Sequence, residues 1–171
     1  MKEKKKTMIK NALELTPEEL LSFSILYKQY FMELLSGMRG QKKGILDEYC
    51  IKIKTYRIVR RIMQEIGTGQ RTAFVNVDES EDIVTGLLVG DLGGAEAYIT
   101  HFYVDVKCPT GRRLQAANLF KEFAMKAKGN GSNTISTVSY PQEVELKDSL
   151  DSLGFSAVNN QDYSTEHSRK I

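Results

Sequence analysis

The sequence predicts one α/β domain whose elements run strand, two helices, three strands, helix, strand, helix, strand. Three observations carry this. Residues 16 to 66 hold two stretches with apolar side chains at helical spacing. Residues 71 to 106 switch to short runs of β-formers separated by acidic and glycine-rich turns. Residues 112 to 155 then alternate helix, strand and helix, with glycine at the stops. The chain has 171 residues, of which 41% are hydrophobic and 27% charged, which suits a single domain with a buried core.

The first element comes after a basic tail over residues 1–7: Met8 to Leu15 reads as a strand. Thr16-Pro17-Glu18-Glu19 is a helix start: threonine caps free amides, proline fits the first turn, and glutamates favour the positive end of the dipole. That helix runs to about Ser36, and Gly37, Gly40 and Gly44 punctuate the loop after it. Ile45, Tyr49, Ile53, Tyr56, Val59, Met63 and Ile66 mark a second helix, interspersed with Lys52, Lys54, Arg57, Arg60 and Arg61. Arg71–Val77, Ile83–Val89 and Ala97–Val106 read as an antiparallel meander. A polar loop from Lys107 leads to a helix that opens near Arg112 and stops at Gly129-Asn130-Gly131. Thr134–Val138 is a strand, and a helix opened by Pro141 and Gln142 carries Val144, Leu146, Leu150 and Leu153. The domain closes near residue 160, and 161–171 is a polar tail or a last strand.

Composition narrows the function classes. No apolar run approaches the ~20 residues of a membrane span, and no apolar signal core comes after the first lysines, so a cytoplasmic protein is expected. Cys50 and Cys108 are too few for a disulfide scaffold, and with only His101 and His167 no metal site is expected. Residues 1–70 carry a balance of +6 and residues 71–171 one of −4, an asymmetry that can draw phosphate to one end. Arg57, Arg60 and Arg61 could contact nucleic acid or an acidic partner. A solvated outer helix face accounts for them more simply.

The order of elements over residues 8 to about 160 resembles the GNAT-type N-acetyltransferase superfamily. So does Arg112-Arg113-Leu114-Gln115-Ala116-Ala117, set against a loop pattern Gln/Arg-x-x-Gly-x-Gly/Ala. Arg112 fits its first position and Ala117 its last, while Gln115 stands where the middle glycine is usual. The resemblance implies a mixed, mostly antiparallel sheet and acetyl-coenzyme A as cosubstrate. In its terms Arg112, Arg113 and the amides of Leu114, Gln115, Ala116, Ala117 and Asn118 receive the pyrophosphate on a helix N-terminus. Val104 and Val106 pair with pantetheine across a gap between diverging strands. Gln115 places a side chain at the crowded point, where it donates a hydrogen bond or obstructs the cofactor. In a second pattern, Asn-x-x-Ala-x-x-x-Tyr-x-x-x-Gly-Phe, Gly154-Phe155 match but Leu150 takes the slot of the proton-donating tyrosine.

The implied function is transfer of acetyl from acetyl-coenzyme A to a primary amine of a small molecule or protein, by direct attack. Of the candidate bases Glu96, His101 and Asp105, His101 is favoured because its ordinary pKa is convenient, although a strand histidine is commonly structural. Tyr140, with Tyr163 as the alternative, is the candidate substitute for the missing acid. Members of the family often pair through terminal strands, which makes a homodimer conceivable. The other reading keeps the fold without the catalysis: a binding or regulatory module, favoured by Gln115 and Leu150.

Overall fold

The computed structural model describes residues 7–38, 45–105, 108, 111–141 and 143–171. Strand β1 is Thr7–Asn11, helix α1 Pro17–Met38, helix α2 Ile45–Gly67, and strands β2, β3 and β4 are Thr72–Asp78, Ile83–Asp91 and Glu96–Val104. Helix α3 spans Arg112–Gly129, β5 Thr134–Ser139, α4 Val144–Ser152, β6 Ser156–Gln161 and β7 Ser164–Lys170. The strands form one sheet in the order β1-β2-β3-β4-β5-β7-β6. Every pairing is antiparallel except β4 with β5. The expected mixed α/β architecture is the one observed.

Local chemistry explains the first turn of the chain. β1 stops at Asn11 instead of running on to Leu15, because the Asn11 side chain accepts the Leu13 N–H at 3.0 Å and caps a short 3-10 turn. Thr16 then starts α1 as the sequence indicates. Its hydroxyl accepts the Glu19 N–H at 3.2 Å, and the Glu19 carboxylate accepts the Thr16 N–H at 2.9 Å, a reciprocal capping box. Glu19 is almost fully buried, which by itself raises its pKa. The Lys10 ammonium at 2.5 Å and the Thr16 amide outweigh that and hold it lowered. The same pair ties β1 to α1.

Two apolar layers sandwich the sheet. α1 and α2 cover one face with Phe23, Tyr27, Phe31, Val59 and Ile62 against Val75, Leu87 and Val89. On the other face α3 and α4 bring Leu119, Phe120, Phe123 and Leu150 against Leu88, Ile99, Phe102 and Ile135. Leu150 is fully buried here, so the tyrosine slot of the second pattern is filled by a core residue.

The C-terminal stretch corrects the expectation of a single strand. Residues 156–170 form a hairpin, and its second strand lies inside the sheet between β5 and β6. Ser164–Lys170 has no apolar alternation, so no period announces it. Its inward side chains pack by other means. His167 is buried with its Nε2 at 2.8 Å from Ser139 Oγ, and the Arg169 guanidinium lies 4.9 Å from the centre of the Phe120 ring.

Gly90 sits where β3 passes beneath α3. A Cβ built there would lie 2.5 Å from the Tyr98 carbonyl oxygen and 2.7 Å from the Phe123 ring. Backbone on one side and a packed ring on the other leave no room to yield. Gly90→Ala is therefore expected to lower unfolding free energy by about 2 kcal/mol or more, measured by urea denaturation against wild type. An unchanged midpoint would contradict this packing.

Candidate active site

A defect in β4 opens the site. Ile99 pairs with Gly90 and His101 with Val89, so Thr100 is an extra residue bulged out of the ladder. Its hydroxyl donates to the Val89 carbonyl and accepts from Arg71, both at 3.0 Å. Arg71 in turn meets Glu65 of α2 at 2.6 Å. The bulge is thus pinned by an ion pair anchored on the helix behind it.

The bulge changes which backbone groups face outward. Before it, the Ile99 carbonyl points towards β5 and accepts the Thr137 hydroxyl at 3.0 Å. After it, the Asp105 N–H points the other way, to the Thr85 carbonyl of β3 at 2.8 Å. Strand alternation then turns the N–H groups of Phe102 and Val104 away from β3. Pairing of β4 with β5 ends at Ile99 and Thr137. The two parallel strands part there, leaving the Phe102 and Val104 amides along an open edge.

A cavity of about 420 Å³ occupies this opening. Tyr30 and Glu33 of α1, Phe102, Tyr103 and Val104 of β4, Arg112 and Ala116 of α3, and Glu143, Glu145 and Ser149 around α4 are among the residues that line it. α3 starts at its edge, after Gly111 at φ 88°, a left-handed conformation that glycine adopts without strain. The Arg112, Arg113 and Leu114 amides are the first-turn donors.

The sequence-derived site residues divide on this frame. Val104, Arg112 and Ala116 line the cavity, with Arg113 and Leu114 exposed at the helix start. Val106 lies outside the described residues. The amides assigned to phosphate shift towards the N-terminus. The Gln115 N–H already donates to the Gly111 carbonyl at 3.3 Å, and those of Ala116, Ala117 and Asn118 belong to the helical ladder. Gln115 does not crowd the opening: its side chain is fully buried and accepts from Asn76 of β2 and from Thr85 of β3.

The two residues picked for catalysis do not line the cavity. His101 points to the α1 face, with ring centres of Tyr27, Tyr30 and Phe31 at 5.5, 5.9 and 4.9 Å, and its Nδ1 lies 2.5 Å from the Tyr27 hydroxyl. Burial, with a further contribution from Arg71, lowers its pKa to about 4. Tyr140 comes just after β5, half-exposed, and contributes its backbone N–H to Glu143 at 2.9 Å.

The groups that sequence reasoning passed over are Tyr30, Glu33, Tyr103, Glu143 and Ser149. Glu143 is held on both oxygens, by the Tyr30 hydroxyl at 3.1 Å and the Tyr140 N–H at 2.9 Å. Burial raises its pKa, and these two bonds only partly oppose the rise. Tyr103 donates to Glu33 at 3.2 Å, and burial keeps both tyrosine hydroxyls protonated far above neutrality. The Arg112 guanidinium spans the gap, with Nε on the Val104 carbonyl at 3.1 Å and an ion pair to Glu145. Arg57, Arg60 and Arg61 lie on the outer face of α2, away from this cavity.

No family model and no curated protein matches the chain. Solved structures do match, over nearly the full length. The PaiA N-acetyltransferase of Thermoplasma acidophilum, in complex with coenzyme A, superposes with TM-score 0.73 at 14% identity, covering 97% of this chain and 99% of that one. A putative acetyltransferase of the GNAT family from Desulfovibrio desulfuricans gives 0.63 at 10% identity, covering 96% and 99%. The N-acetyltransferase PseH of Campylobacter jejuni, in complex with acetyl coenzyme A, gives 0.55 at 12% identity, covering 96% and 99%. The chain has the GNAT-type acetyltransferase fold.

The His101 environment has a pH consequence. The folded state binds this proton only near pH 4, while the unfolded chain binds it near 6.5. Stability from this group is full above pH 6.5 and is lost as pH falls towards 4, by about 3 kcal/mol. Urea unfolding of wild type and His101→Gln from pH 8 to pH 4 is expected to show a steeper acid decline for wild type. Parallel curves would contradict it.

Proposed function

We propose that the protein transfers an acetyl group from acetyl-coenzyme A to a primary amine by direct attack. The observation that carries this is the opening between β4 and β5, with the outward Phe102 and Val104 amides, a helix N-terminus and a half-buried carboxylate around it. The residues present fit the cosubstrate. The open edge at Phe102 and Val104 suits an extended amide-bearing arm. The Arg112, Arg113 and Leu114 amides suit a pyrophosphate, and Ala116 leaves the wall beneath them shallow. Acetyl-coenzyme A supplies a thioester carbonyl open to attack.

The chain's own groups then divide the work. An amide on the β4 edge polarises the carbonyl oxygen through a hydrogen bond. Glu143 receives the amine's proton, directly or through one water. Burial makes it a stronger base than an ordinary carboxylate, and Tyr30 and the Tyr140 amide hold its orientation. The new N–C bond forms as the C–S bond breaks, and the sulfur leaves as thiol with a proton. Ser149, next to the buried Leu150, lines the cavity; its hydroxyl donates to the Glu145 carbonyl at 2.9 Å and must turn from it to protonate the sulfur, the role for which Tyr140 was first considered. Arg112 must exchange Glu145 for phosphate, so the ion pair sets part of the cosubstrate's affinity.

Leu150 in the core favours a second reading, in which the cleft binds acetyl-coenzyme A without turning it over.

Calorimetric titration with acetyl-coenzyme A is expected to show micromolar binding, lost in the Arg112→Glu, Arg113→Glu double variant. Glu143→Gln is expected to bind the cosubstrate normally and to lower kcat with an amine acceptor about a hundredfold or more. No binding by a folded wild type sinks the enzyme reading. Binding without any acetylation supports the second reading.

A further inference from the structure

The charge of the cavity goes beyond a generic amine acceptor. Among the described residues that line it, Glu33, Glu143 and Glu145 are acidic, and Arg112 is the single basic side chain. Arg112 is paired with Glu145, which leaves the half-buried Glu143 and the exposed Glu33. Glu143 is matched by the amine that reacts. Glu33 has no such partner: its neighbours are the Gln29 amide at 3.0 Å and the Tyr103 hydroxyl at 3.2 Å, and no cation pairs with it among the described residues. Both neighbours are hydrogen-bond donors, so they orient the carboxylate without neutralising it.

We infer that the acceptor is a small molecule with two amino groups, one acetylated beside Glu143 and the other held as an ammonium by Glu33. This rests on the acetyl-transfer reading. Tyr30, which holds Glu143, and Glu33 are three residues apart on α1, a rise of about 4.5 Å. That spacing suits a spacer of a few methylenes. Tyr30 and Tyr103 have ring centres 5.4 Å apart and both line the cavity, giving the methylenes apolar walls and the ammonium aromatic faces. A monoamine fills one of the two charge positions and leaves Glu33 unmatched.

The test compares diaminopropane with propylamine in a steady-state acetylation assay on the full chain, with calorimetric binding of acetyl-coenzyme A as a separate readout. The diamine is expected to have a kcat/KM about tenfold higher. Glu33→Gln is expected to bring that ratio close to one, and raising salt to reduce it in wild type but not in the variant. Equal rates for the two amines, or a preference that survives Glu33→Gln, would overturn the inference. If acetyl-coenzyme A binds and a basic peptide is acetylated while neither small amine is, the two-amine acceptor is refuted and the transferase reading stands. If acetyl-coenzyme A does not bind at all, both fall.

Discussion

The bulge at Thr100 is the constraint on which the rest of the site depends. One extra residue in β4 shifts its side-chain phase, so that Ala97 and Ile99 before it and Phe102 and Val104 after it all reach the α3 face. The same shift turns the later amides towards the gap instead of towards β3. A regular strand would keep one edge for its full length and could not pair with β5 below and stay free above. The bulge is held from behind, because Arg71 carries the Glu65 charge to the Thr100 hydroxyl. α2, remote from the cavity, thereby sets the geometry of the edge that faces it.

Polar groups buried on the other side of the sheet support the helix start. Asn76, Thr85 and Gln115 form a hydrogen-bonded set under the first turn of α3, sealed from water. Such a set costs stability wherever a member is left unmatched, and in return it gives α3 one register on the sheet. Pointing its side chain inward keeps Gln115 out of the cavity that Arg112 and Ala116 line. Arg112, by contrast, points outward and bridges the gap to Glu145.

Arg112 at the start of α3 lines the same cavity as Glu33, Glu143 and Glu145, and it is paired with the last of these. Burial of Glu143 raises its proton affinity, and burial of Tyr30 keeps the hydroxyl that orients it protonated. His101 shows the other result of burial: sunk among aromatic rings, it is neutral and serves the core.

The sequence by itself determined the order of elements and the mixed α/β fold. The cap at Thr16, the change of period after Gly69 and the glycine stops are interactions between residues close in the chain, so a local reading finds them. It also located the helix start at Arg112, which lines the cavity. It could not place β7, whose polar residues become a sheet interior only through pairing with β5 and β6. Nor could it find the carboxylate of the cleft. Glu143 acquires its partner from Tyr30, 113 positions earlier, and its burial from elements that meet only when the sheet is folded. The direction of Gln115 and the removal of His101 from the cavity have the same origin. Which face a side chain takes after a bulge, and which charges converge through space, are settled by packing, and tertiary structure alone decides them.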